Sequence, residues 1–98
     1  MLERIIKLNN EEIVIAGNEK VYLIDINNYL ILNEINSDYC NNCILKLSNN
    51  LFLIGDVNGT ITQYKIENKK LFKESYKNKS HEKWIIAMTN NEIKIWKK

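Results

Sequence analysis

Two cysteines at C-x-x-C spacing, Cys40-Asn41-Asn42-Cys43, are the residues of this chain best suited by type to metal or redox chemistry. A tetrahedral zinc site needs four ligands, so a second Cys or His pair would have to complete it. The one histidine, His81, is a distant candidate for that task. A redox C-x-x-C sits at a helix N-terminus, which lowers the thiol pKa, and no helical periodicity follows Cys43. The pair reads as two small residues at the start of a strand. His81 has no Ser/Asp partner at an interpretable spacing for triad chemistry and reads as a loop residue. Gly17 and Gly55 each follow an apolar run, as phosphate-loop glycines do, but neither lies in a G-x-G-x-x-G or P-loop pattern. They read as turn or close-approach glycines. No catalytic, cofactor-binding or metal-ligating residue is assigned on these grounds, no cofactor is implied, and a non-catalytic protein is expected.

A second kind of chemistry lies in Lys65 to Trp84, KIENKKLFKESYKNKSHEKW, where lysines alternate with Phe72, Tyr76 and Trp84. Phosphate pairing plus aromatic stacking binds single-stranded nucleic acid or an anionic membrane surface. Glu67, Glu74 and Glu82 interrupt the run. The competing reading is an outer strand whose lysines discourage edge-to-edge pairing. Net charge is +2 but unevenly spread. Residues 1–64 carry four Lys/Arg against eight Asp/Glu, and residues 65–98 carry ten Lys against four Glu. The two halves can attract one another, or the basic half can face an anionic partner.

The elements that would position these residues are strands. Leu51 to Ile66, LFLIGDVNGTITQYKI, is an apolar run, a turn carrying Asn58-Gly59 and an alternating run. Asn-Gly between such runs signals a hairpin with both turn residues at positive φ. The same shape recurs as IVIAGNEKVYLIDI (Ile13 to Ile26) and WIIAMTNNEIKIWK (Trp84 to Lys97). The first unit adds strands at Ile5 to Leu8 and Tyr29 to Ile35. The second adds Ile44 to Leu47, which matches Ile5-Ile6-Lys7-Leu8, and Lys70 to Tyr76. The third lacks its first strand, replaced by KNKSHEK, and has no fourth. Ile13-Val14-Ile15-Ala16 and Leu51 to Ile54 are continuous apolar runs, the pattern of strands buried on both faces. No stretch shows helical periodicity, so the expectation is all-β.

Length and composition bound the rest. A chain of 98 residues, 45% of them hydrophobic, makes one small ordered domain. Asn, Ile and Lys are abundant and Pro is absent. An AT-rich genome accounts for that bias, and the Asn residues receive little functional weight as a class. Five Asn pairs do fall between apolar runs, where Asn serves as a turn residue. The opening MLERIIKLNNEE has no basic segment followed by a long apolar run, which argues against a signal peptide. No apolar run approaches the roughly 20 residues that span a bilayer. Two cysteines fit a reducing compartment. A cytoplasmic protein, with the nucleus as the alternative, is expected, neither secreted nor membrane-spanning.

A repeat of about forty residues with four strands per unit is the signature of propeller blades. The chain resembles the WD-repeat (Trp-Asp) β-propellers over most of its length. IKIWK (Ile93 to Lys97) is similar to the family's I-x-I-W-D, with Lys97 for Asp. ITQYK (Ile61 to Lys65) has Tyr64 for Trp and Lys65 for Asp, and VYLID (Val21 to Asp25) keeps Asp25 with Ile24 for Trp. Asn58-Gly59-Thr60-Ile61 is similar to the family's D-G-x-I turn. No unit holds a complete Trp-Asp pair, and Gly-His is absent before units one and two, with Ser80-His81 ahead of unit three. The family's Asp–His–Ser–Trp network therefore has no counterpart in its usual residues, and apolar packing would hold each blade. Trp84, Trp96 and Tyr64 read as core or inter-blade residues.

The resemblance implies a partial, open β-propeller of antiparallel four-stranded blades, at about residues 5–35, 43–76 and 83–97, the last incomplete. A closed ring takes about four to eight blades. A fragment of a longer propeller is the preferred explanation, ahead of self-assembly into a ring and an open stack. The functional expectation is a protein–protein interaction scaffold. Its partners are other proteins, further blades of a longer chain, or copies of itself. Nucleic-acid or anionic-membrane binding through residues 65–98 is the alternative.

Overall fold

The computed structural model describes residues 4–37, 40–77, 85–88 and 93–95, those from 75 onward as backbone only. Strands are the sole regular elements among them. β1 (Arg4–Lys7), β2 (Glu12–Ala16), β3 (Lys20–Asp25) and β4 (Leu30–Asn36) form one antiparallel meander. β5 (Asn41–Ser48), β6 (Leu51–Asp56), β7 (Ile61–Glu67) and β8 (Lys70–Lys77) form a second. β9 (Ile85–Met88) and β10 (Ile93–Ile95) pair as an antiparallel hairpin. The KNKSHEK segment with His81, and both tryptophans, lie outside the described residues.

The two meanders repeat one another in register. Ile5 pairs with Ile15 and Lys7 with Ile13, as Ile44 pairs with Ile54 and Lys46 with Phe52. Ile24 sits opposite Ile13 as Tyr64 sits opposite Phe52. Between the third and fourth strands both ladders slip by one residue at the same place, Leu23/Ile24 in one sheet and Gln63/Tyr64 in the other. A shared bulge is a strong mark of a structural repeat, because a bulge re-aims every side chain after it.

The sheets stack face to face, β1 and β2 against β5 and β4 against β8. Leu8, Val14, Ala16, Val21 and Leu23 from the first sheet meet Phe52, Ile54, Tyr64, Ile66 and Leu71 from the second in one core. Each fully buried side chain of this kind contributes about 1.5–3 kcal/mol. Phe52 and Tyr64 stack directly across the β6–β7 ladder, centroids 5.2 Å apart and planes 7° from parallel. The second sheet also carries an apolar cluster of Cys43, Leu45, Leu53 and Ile61 on its other face. β9 runs against β5 and β6; the first sheet already occupies one face of those strands, which leaves β9 the other.

The register makes this a head-to-tail stack. Ile6, Val14 and Val21 of the first sheet are the counterparts of Leu45, Leu53 and Ile61 of the second. The first set points toward the second sheet, and the second set points away from the first. Each sheet therefore meets its successor with the same face. The arrangement is open: two propeller-like four-stranded blades, with a hairpin following.

Two expectations about local geometry need correction. Asn58-Gly59 does not make a two-residue turn with both residues at positive φ. Gly59 alone has positive φ (83°), and its N–H donates to Asp56 O at 3.2 Å, while Asp56 N–H donates to Thr60 O at 3.1 Å. This is a type I turn closed by a left-handed glycine. Asp56 imposes it, because its carboxylate accepts from the N–H groups of Asn58 (2.9 Å) and Thr60 (3.0 Å). The primed two-residue turn lies at Asn68 (φ 52°) and Lys69 (φ 61°), between the paired Glu67 and Lys70. The second correction concerns Ile13-Val14-Ile15-Ala16. Val14 and Ala16 are buried, but Ile13 and Ile15 lie on the outer face of the first sheet and are partly exposed.

Lys69 holds a left-handed conformation in which its Cβ is crowded, and glycine removes that crowding at a position where Gly is native to primed turns. Lys69→Gly is expected to raise stability by about 0.5–1 kcal/mol, and Gly59→Ala to lower it by about 1 kcal/mol or more, in urea unfolding of the intact chain.

Candidate docking face

Among the described residues, the outer face of the first sheet presents a group of exposed and partly exposed apolar side chains. Strand alternation brings Ile5, Ile13, Ile15, Tyr22, Ile24 and Ile31 onto it, since these residues pair with one another across the three ladders. Ile5 and Ile31 are each 60% exposed, and the others are partly exposed. Lys7 and Glu34 mark its polar margins. Its counterpart on the second sheet is the face built from Ile44, Phe52, Ile54, Thr62 and Tyr64, which is packed against the first sheet. One face of one design is thus covered in the second sheet and open in the first. A second apolar strip follows the outer edge, where Tyr29, Leu30 and Phe72 are exposed on or beside the edge strands β4 and β8.

What orients this face is a set of polar clamps between the sheets. Asn41 is 2% exposed, and its Nδ2 group lies within donating distance of Gly17 O (3.0 Å), Lys20 O (3.3 Å) and Ser37 Oγ (3.0 Å). Its backbone N–H donates to Asn18 O at 3.2 Å. Asn9 caps its own turn, its Oδ1 accepting from Glu11 and Glu12, and its Nδ2 donates across to Asn49 O at 3.1 Å. Asn33 Oδ1 accepts the Leu71 N–H at 2.7 Å, and Arg4 Nε donates to Asn42 O at 2.8 Å. Among the described residues, no buried side-chain nitrogen or oxygen lacks a partner. Asn as a class deserved more weight than its abundance suggested: Asn9, Asn33 and Asn41 bridge the blades. Their one sequence signal was position. Asn9 and Asn41 stand in Asn pairs at strand boundaries, and Asn33 interrupts the apolar run of its strand.

The C-x-x-C residues separate in function. Cys40 is partly exposed before β5, with Sγ donating to Asn18 Oδ1 at 3.3 Å, whereas Cys43 lies buried within β5, its Sγ 3.9 Å from Gly55 O. Burial pushes the Cys43 thiol up to about 11, the opposite of the depression that activates a cysteine. Among the described residues no three His, Cys, Asp or Glu side chains gather as metal ligands would. Gly17 and Gly55 are both buried and neither adopts positive φ. Gly17 places its carbonyl against the Asn41 amide, and Gly55 lies opposite Cys43.

Two polar hollows flank the stack. One, of about 220 Å³, is lined by Glu11, Glu12, Asp25, Asn27, Asn28 and Lys69. Hydrogen bonding from Asn28, with the Asn27 and Asn28 N–H groups and the Lys69 charge, holds Asp25 below the usual carboxylate range. Asp25 thereby caps the β3–β4 turn. The other, of about 250 Å³, brings the counterparts Lys7 and Lys46 together with Asn9, Asn10 and Asn49. Of the basic C-terminal half, the structure places Lys65 3.4 Å from Glu67, and shows Lys70 and Lys73 exposed on the edge strand β8. Tyr76 and Trp84 contribute no described side chain.

The chain matches no protein-family model and none of the curated proteins.

Removing the Asn41 amide strands the buried Gly17 carbonyl, while Lys20 O keeps the Gly17 N–H. Asn41→Ala is expected to cost about 1–3 kcal/mol in urea unfolding, and Asn41→Asp at least as much, because a carboxylate would face two carbonyl oxygens. A separate prediction concerns Cys43. Its folded pKa of about 11 exceeds the ordinary 9.0, so in that window the unfolded chain releases a proton that the folded chain keeps. Stability should therefore fall as pH rises from 9.0 toward 11, by roughly 1–3 kcal/mol at most. Cys43→Ala should flatten that alkaline slope, and iodoacetamide at about pH 8 should label Cys40 well ahead of Cys43.

Proposed function

We propose that this chain is a non-catalytic protein–protein interaction scaffold, a section of a WD-repeat-like β-propeller. The observation that carries the reading is the open outer face of the first sheet. Over its first three strands it repeats a face that the second sheet uses for packing, while Ile31 stands where the second sheet has the exposed Lys73. An apolar face of that pattern costs free energy in water and is relieved by docking another folded surface. Edge strands β1 and β4 border it and offer unpaired backbone groups for strand addition. The propeller reading draws support from the shared register, the head-to-tail stacking and the burial of Tyr64, which stands where the resemblance places tryptophan.

The alternative, phosphate binding through residues 65–98, is separated from this reading by salt. Polypeptide binding through an apolar face should change little between about 50 and about 200 mM salt, and should weaken in Ile5→Glu/Ile31→Glu. Binding of a labelled single-stranded oligonucleotide or of anionic vesicles, lost steeply over the same range, would favour the basic half instead. Absence of any salt-tolerant polypeptide ligand would remove the scaffold reading.

A further inference from the structure

The first strand of each sheet runs into its turn through the same pattern, Lys7-Leu8-Asn9-Asn10 in one and Lys46-Leu47-Ser48-Asn49 in the other. Stacking in register brings the two together. Lys7 and Asn10 from the first sheet, and Lys46 and Asn49 from the second, line one hollow of about 250 Å³. Asn9 ties the two turns to each other. Its Nδ2 donates to Asn49 O at 3.1 Å and to Glu12 Oε1 at 2.9 Å, while its Oδ1 accepts the Glu11 and Glu12 N–H groups. Among the described residues no carboxylate lines this hollow; Glu11 and Glu12 line the other one, with Asp25. The ion pairs among the described residues join Lys20 to Glu34 and Lys65 to Glu67, so neither Lys7 nor Lys46 is neutralised by one. The side-chain amides of Asn10 and Asn49 have no protein partner among the described residues.

We propose that this hollow is a binding site for a small soluble phosphate ester. Two ammonium groups of like sign repel, and an anion set between them relieves that repulsion. Phosphate suits the donor set better than a carboxylate does. It offers three terminal acceptor oxygens and close to two negative charges at neutral pH, and the hollow supplies two charged donors and two neutral amides. The volume lies just below the roughly 300–1,000 Å³ of sites for drug-sized ligands, which suits a phosphate with a short organic body. Each sheet gives half of the donors, so the site exists only in the stacked arrangement that the Asn9–Asn49 bond holds. It draws on residues 7–49 and on none of the lysines of residues 65–98, and it uses neither the outer face of the first sheet nor a strand edge. It therefore stands apart from the scaffold reading and from its alternative.

The test titrates the full chain with glycerol phosphate at constant ionic strength and follows its amide groups by heteronuclear NMR. The side-chain amides of Asn10 and Asn49 should shift together and saturate at millimolar ester, and sodium chloride at equal ionic strength should not reproduce the shifts. Lys7→Met/Lys46→Met, altered at two exposed positions, should keep the wild-type far-ultraviolet spectrum and bind about tenfold or more weakly. Lys70→Met/Lys73→Met removes two exposed lysines of β8 and should bind like the wild type. Shifts that never saturate, or that chloride reproduces, overturn the proposal. So does a Lys7→Met/Lys46→Met chain that binds as tightly as the wild type, or equal weakening in the two double variants. Vesicles of phosphatidic acid in phosphatidylcholine that bind through Lys7 and Lys46, with no saturable binding of glycerol phosphate, would place the phosphate on a membrane and overturn it as well. A chain that binds the ester but no polypeptide leaves this site standing and removes the scaffold reading alone.

Discussion

The structure depends on one buried amide. Apolar packing between two sheets is non-directional, and two flat arrays of Ile, Leu and Val can slide over one another at small cost. The side chain of Asn41 removes that freedom. It sits at the start of β5 yet reaches into the β2–β3 turn of the first sheet, to the carbonyls of Gly17 and Lys20, and to Ser37 in the connection between sheets. A buried donor must find its acceptors, and one position of the second sheet satisfies it. Asn9, Asn33 and Arg4 make the same kind of commitment at other points of the interface. The core supplies cohesion, and these polar contacts supply the alignment that keeps β1 over β5 and β4 over β8.

Alignment of this kind propagates. Because the ladders of the two sheets correspond through the centres of their first three strands and share the bulge before the fourth, the second sheet offers its successor the same face that the first sheet offered it. In a repeat array stability is a sum of unit and neighbour terms, and a terminal unit lacks one neighbour. Among the described residues, Ile5 is exposed and Ile13, Ile15, Tyr22 and Ile24 are partly exposed on the outer face of the first sheet, where their counterparts in the second sheet are packed. The functional reading follows from that physical deficit rather than from any reactive group.

The chemistry-bearing residues fit the same picture. Cys43 is a small buried side chain whose thiol is driven away from reactivity by its surroundings, and Asp25 and Asp56 spend their carboxylates on turn N–H groups. Each is accounted for by the strand or turn that it holds.

Sequence alone determined the strands, their hairpin order, the two-unit repeat and the candidate apolar residues. Alternation and turn composition are local properties, and each strand carries its own. Three matters waited on the tertiary structure. Ile13-Val14-Ile15-Ala16 is apolar on both parities, so no local pattern says which parity is covered; the second sheet covers Val14 and Ala16 and leaves Ile13 and Ile15 to the outer face. Asn58-Gly59 admits more than one hairpin geometry, and the Asp56 carboxylate selects among them by capturing Asn58 and Thr60 N–H groups. Asparagine is common throughout the chain, and its role depends on what lies opposite it. Asn41 is a clamp because a neighbouring sheet brings carbonyls within its reach, a fact about distance in space that no spacing along the chain encodes.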